Sequence, residues 1–186
     1  MTLTQDYPQL SEYIAAAMEQ LGGISHSQLQ RIELAARHIA DGLARGSKLL
    51  VQSSKSTQIL AESLRDDLLW RYREQQPALP VLLLDHYDGL QGQDGLREAE
   101  AMGNEGDTLL LLQHQPARYG SQMLQQLYQN RGIVSIYMGP ESDQLEQACL
   151  LGIELQAAAP ARQLELGLFI LHCLSARIQS LVFSGS

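Results

Sequence analysis

Short apolar runs separated by stretches of helical spacing constrain this chain most. Lys48–Gln52, Val81–Leu84, Thr108–Leu112 and Ile133–Met138 read as strands, and Gly152–Gln156 as a weaker fifth. Val81–Leu84 has no polar alternation, as expected for a parallel sheet covered on both faces. Helical patterns fill the intervals: Thr57–Tyr72, Leu96–Met102, Ser121–Asn130 and Ser142–Leu151. Strand–helix alternation of this kind predicts a parallel sheet between two helix layers. The expected fold is therefore α/β, a three-layer α/β/α sandwich with a five-stranded parallel sheet.

Two helices precede the first strand. Leu10, Tyr13, Ile14, Ala17, Met18 and Leu21 recur at helix spacing until Gly22-Gly23 stop them. Ser27 can cap a second helix carrying Leu29, Ile32, Ala36, Ile39 and Leu43 on one face, with Gly46 as its stop. The pair reads as a helical hairpin that packs against another subunit. The chain is expected to be a single domain over 1–186, with the hairpin at 1–46 and the α/β core at 47–186. Its last helix, Arg162–Val182, is apolar almost all round. A helix apolar on every side is buried on every side, which in a chain of 186 residues favours a subunit interface.

A net charge of −8 argues against a direct nucleic-acid binder, which shows a basic face. Cys149 and Cys173 sit in apolar runs, and paired Cys/His metal spacing is absent. Buried free thiols in a reducing cytoplasm are the expectation. No membrane contact is expected, because no apolar run approaches the length of a span.

The stretch LLVQSSKST, Leu49–Thr57, takes a strand straight into a helix. In parallel α/β proteins a Gly-rich loop commonly cradles a phosphate there. Here Ser53, Ser54, Lys55, Ser56 and Thr57 stand without a glycine. They can hold an anion at the helix N-terminus, or form only a polar turn capped by Ser56. The flanking Gly and Gly-Lys pair of a Walker loop are absent.

The segments KLLVQSSKSTQILAESLRDDLLWRYREQQPALPVLLLD, GNEGDTLLLL, NRGIVSIYMG and RQLELGLFILHCL carry a resemblance. The chain resembles the sugar isomerase domain family, in the subgroup of phosphoheptose isomerases and DnaA initiator-associating proteins. The resemblance covers nearly the whole chain. It implies the sandwich above and a homo-oligomer, a tetramer or dimer, in which the extra helices bundle.

Several positions depart from the family pattern. Its first loop reads GNGGS or similar, against Ser53–Thr57 here, where Thr57 alone keeps the hydroxyl. Its second loop reads STSGNS, against Gln113, His114, Gln115, Pro116, Ala117 and Arg118. The family's helical Glu, an acid/base and metal ligand, falls at Asp66 or Asp67 by register. The Gln of its last helix matches Leu164, while its His is retained as His172. Both Asp66 and Asp67 can equally form a solvated face balanced by Arg65 and Arg71.

Aldose–ketose isomerisation needs a base, an acid and a held phosphate. With the phosphate loops rewritten, His172, Asp66 and Asp67 read as vestigial candidates rather than a catalytic set. Ser53, Ser54, Lys55, Ser56, Thr57 and Arg118 are the candidate phosphate contacts, and no metal or cofactor is expected. The expected function is a non-catalytic, cytoplasmic scaffold or regulator with a replication initiator as a candidate partner. The alternatives are a phosphosugar or other anion sensor, and an isomerase with an altered site.

Overall fold

The computed structural model describes residues 7–70, 77–84, 93–114, 121–156 and 159–183. Five parallel strands form one sheet in the order β2-β1-β3-β4-β5: β1 Leu49–Ser53, β2 Val81–Leu83, β3 Thr108–Leu112, β4 Val134–Gly139 and β5 Leu151–Glu154. Among the described residues seven α-helices surround it: α1 Pro8–Gly22, α2 His26–Ala44, α3 Gln58–Trp70, α4 Gln93–Met102, α5 Ser121–Arg131, α6 Asp143–Ala148 and α7 Pro160–Phe183. The expected α/β/α architecture is present.

Alternating side chains of the buried strands build two cores. Leu49, Val51, Leu110, Leu112, Ile136 and Met138 point to one face, under α2, α3 and α7. Leu50, Leu109, Leu111, Ile133 and Tyr137 point to the other, with α4, α5 and α6. Central strands covered on both sides need apolar residues at every position, which explains TLLLL. β2 differs. It is the edge strand, and Val81, Leu82 and Leu83 are only half-buried, so the two-sided covering expected for it is incomplete.

Elements start and stop for local reasons. Ser25, not Ser27, caps α2: its Oγ accepts from the Gln28 N–H at 3.2 Å, and the Gln28 side chain accepts from the Ser25 N–H at 2.9 Å. This reciprocal box satisfies two donors that the first helical turn leaves bare. Leu29 is exposed, contrary to the face expected for it. Gly46 and Gly132 end their helices with φ of 90° and 65°, a left-handed backbone that side chains disfavour. α6 is shorter than its apolar pattern suggests. It ends at Ala148, and β5 begins at Leu151, pairing with Ile136.

α7 buries Leu166, Gly167, Ile170, Leu171, Leu174, Ser175, Ile178 and Gln179 between α2, α3 and the sheet. Its outer side is open in the single chain: Phe169 and Cys173 are exposed. The expectation that both thiols are buried therefore holds for Cys149 alone, whose pKa burial pushes up to about 12. By length and composition α7 is also apolar enough to cross a membrane, contrary to the sequence expectation. In this fold 44% of its most apolar window is buried inside the protein. α1 buries no residue fully. It is pinned to α7 by Arg162, whose guanidinium lies 3.8 Å from the Tyr13 ring centroid, and by Tyr13 Oη donating to Glu165 at 3.1 Å.

The amino ends of the central strands are tied by one carboxylate. Asp107, only 2% exposed, accepts from the Lys48 N–H at 2.9 Å, Lys48 Nζ at 2.6 Å and the Asn104 N–H at 2.8 Å. Its own carbonyl accepts from the Val134 N–H at 3.1 Å. Asp107→Ala strands three donors at once and is expected to cost about 2–4 kcal/mol. Lys48→Met removes one partly exposed donor and is expected to cost about 1 kcal/mol. Urea unfolding checks the ratio; equal losses would show that the ion pair, rather than the backbone bonds, holds the junction.

Candidate functional site

Two features at the carboxyl side of the sheet and along α3 contain the candidate residues. The first is the β1–α3 turn. Ser53 ends β1 and is buried; Lys55–Thr57 form one turn of 3₁₀ helix before α3. Ser54, rather than Ser56, opens this turn. Thr57 Oγ1 accepts from the Ser54 N–H at 2.9 Å and lies 2.9 Å from the Leu112 carbonyl, which accepts its proton. Ser54 Oγ lies 2.9 Å from Thr57 Oγ1 and 3.0 Å from Ser56 Oγ. The hydroxyls of the turn thus bond to one another and to the end of β3. Thr57 is 1% exposed, so its hydroxyl serves as a clasp between β1 and β3. Lys55 and Ser56 face solvent.

The second loop is described only at its start. The Gln113 N–H donates to the Met138 carbonyl at 2.9 Å, continuing the β3–β4 ladder by one residue. Gln113 is buried and His114 half-buried. Arg118, with Gln115, Pro116 and Ala117, lies outside the described residues.

The second feature joins α3 to α7. His172 Nε2 stands 3.9 Å from Asp67 Oδ2 and 3.4 Å from Ser63 Oγ. Ser175 Oγ donates to Asp67 Oδ2 at 2.9 Å, and Gln179 Nε2 donates to the Asp67 carbonyl at 2.6 Å. Of the two aspartates, Asp67 alone makes these contacts with α7. Asp67 is buried against α7, contrary to a solvated face, whereas Asp66 is exposed and pairs with Arg65 at 3.0 Å. Leu164 lies two helical turns before His172 and is half-buried.

Ser63, Ser175 and Gln179 escaped the sequence reading. Their spacing carries the signal: Ser63 is one turn before Asp67, and Ser175 and Gln179 are one and two turns after His172. A polar stripe on a mostly apolar helix needs partners on the facing helix.

Burial is the main influence on Asp67. It holds the carboxyl above its ordinary value of 3.8, aided by the nearby Asp66 charge, while the Ser175 hydroxyl and His172 pull it down. The carboxyl and the imidazole are neighbours 3.9 Å apart, longer than a hydrogen bond. Among the described residues no group of three or more His, Cys, Asp or Glu is placed to hold a metal ion.

No family model matches the chain. A phosphoheptose isomerase from Halorhodospira halophila (strain DSM 244 / SL1) is 25% identical over 168 residues, covering 81% of this chain and 83% of the relative. A solved phosphoheptose isomerase from Francisella tularensis has a TM-score of 0.72 at 20% identity, over 96% of this chain and 98% of that one. HobA from Helicobacter pylori has a TM-score of 0.59 at 15% identity, over 98% of each chain. The chain has the sugar isomerase domain fold. Within that fold it is similar to phosphoheptose isomerases and to HobA, as the sequence resemblance implies.

A carboxyl whose pKa rises on folding holds its proton more tightly in the folded chain. Its contribution to stability is present below the unfolded value and is lost as pH climbs to the folded one. Asp67→Asn keeps an acceptor for Ser175 but cannot ionise. Its stability relative to the parent is expected to increase as pH rises above 3.8 and then to level off. Thermal melts from pH 3 upward check this; parallel curves for the two proteins would contradict the buried-carboxylate account.

Proposed function

We propose that the chain is a non-catalytic sugar isomerase domain protein that works in the cytoplasm as a homo-oligomeric scaffold or regulator, of the kind its resemblance to DnaA initiator-associating proteins implies. The observation that carries this reading is the closed β1–α3 turn. Where the family offers glycine backbone to a sugar phosphate, this chain spends its hydroxyls on one another and on the Leu112 carbonyl. Two of the turn's backbone N–H groups are also taken, that of Ser54 by Thr57 Oγ1 and that of Thr57 by the Ser54 carbonyl.

The outer helices support self-association. Leu10, Tyr13, Ile14 and Met18 of α1 are 53–68% exposed, and Phe169 lies open on α7. Contiguous exposed apolar side chains on a helix mark an interaction surface. A tetramer built on them would hold several copies of a partner close together, and tethering raises apparent affinity without new contacts. The fold shared with HobA and the sequence resemblance favour a replication initiator as that partner.

The adjacency of His172 and Asp67 favours a second reading, a phosphosugar isomerase with an altered site. In that case the imidazole and the carboxyl share the proton traffic between two adjacent carbons.

Light scattering after size exclusion is expected to give a multiple of the 20.6 kDa chain mass. Ile14→Glu with Met18→Glu is expected to lower the mass while leaving far-UV circular dichroism unchanged. Immobilised parent protein is expected to retain the host initiator, and the α1 variant to retain less. A monomeric parent at micromolar concentration overturns the scaffold; an oligomer that retains no initiator removes that partner. Incubation with sedoheptulose 7-phosphate, with and without Zn²⁺, is expected to give no turnover. Turnover abolished by His172→Ala would establish the second reading instead.

A further inference from the structure

Among the described residues β5 closes one side of the sheet and pairs with β4 alone. A strand in that place presents backbone groups to any chain that can add to it. Which carbonyls do so follows from the ladder. The Leu155 N–H donates to the Gly139 carbonyl at 2.8 Å, so Leu155 faces β4. Alternation then turns Ile153 toward β4 as well, and turns Gly152 and Glu154 away from it.

Both outward carbonyls are occupied, and both by α2. Arg31 Nη1 donates to the Gly152 carbonyl at 2.9 Å. Gln28 Nε2 donates to the Glu154 carbonyl at 3.0 Å. Residues three apart share a helix face, so one face of α2 meets the edge at both points. Each side chain is also held elsewhere. Gln28 Oε1 accepts from the Ser25 N–H at 2.9 Å, within the cap of α2. Arg31 pairs with Glu146 of α6 at 3.0 Å.

We infer that Gln28 and Arg31 are edge guards, which keep β5 from taking a further strand from a second copy of this chain. An incoming strand must donate to the same two carbonyls. It therefore has to displace an amide anchored in a helix cap and a guanidinium held by a carboxylate. β5 itself offers little other protection, since Leu151, Gly152 and Ile153 are uncharged and Glu154 alone carries a charge. Pairing of β5 with its own copy would be a two-fold contact, the same edge on both chains. This inference does not depend on the scaffold reading, which uses α1 and α7.

Three full-length proteins test it: the parent, Gln28→Ala with Arg31→Ala, and that double variant with Gly152→Pro added. The double variant is expected to keep the parent's far-UV circular dichroism below its melt, while its light-scattering mass rises with concentration to at least double the parent's. Proline at 152 removes an outward N–H and leaves the ladder to β4 intact, so it blocks strand addition only. The triple variant is therefore expected to return to the parent's mass. A double variant that keeps the parent's mass at every concentration overturns the inference. Association that persists in the triple variant also overturns it, because it then arises from unfolding or from another surface.

Discussion

The Asp107 carboxylate is the junction on which the sheet depends. Three strands begin within a few residues of it. Its two oxygens take the Lys48 and Asn104 backbone N–H groups and the Lys48 ammonium, while its carbonyl takes the first N–H of β4. Parallel strands lack the short hairpins that set antiparallel registers, so their alignment must come from elsewhere. One buried acceptor does so here: Lys48 precedes β1, Asp107 precedes β3, and Leu49 consequently aligns with Thr108. The same register sends alternate leucines to the two cores and carries Ser53 and Leu112 to a common level at the far end.

At that far end the register has a chemical consequence. Thr57 reaches the Leu112 carbonyl because β1 and β3 finish together. The turn is braced there by side-chain hydroxyls. The Thr57 hydroxyl, buried and bonded to Leu112, is thereby committed to the fold. A strand-to-helix turn can thus persist while its ligand preference changes, since the core residues that aim it are separate from those that line it.

The fold was largely legible in the residues. Uninterrupted leucines at Thr108–Leu112 and valine-rich or leucine-rich neighbours announce buried parallel strands, and Gly46 and Gly132 announce the helix ends. Less legible was anything that depends on a neighbour. Ser25 rather than Ser27 is the cap because Gln28 can reciprocate, and Leu29 lies exposed beside it. Cys173 and Phe169 looked as buried as Leu171 and Leu174, but a 24-residue helix flanked on only some sides leaves part of its circumference open. For the site, His172 was visible as a lone polar residue on an apolar helix. Its companions Ser63, Ser175 and Gln179 were not, because each matters only through the facing helix.

The sequence by itself therefore determined the layer order, the parallel sheet and the absence of glycine from the β1–α3 turn, because hydrophobic period and residue identity are properties of consecutive residues. Only the tertiary structure turned Asp67 toward α7 and Asp66 toward solvent, and closed the Ser54–Thr57 turn onto Leu112. Those outcomes turn on which atoms of distant segments meet within hydrogen-bond distance. Such meetings are fixed by strand register and helix packing, which no single stretch of the chain encodes.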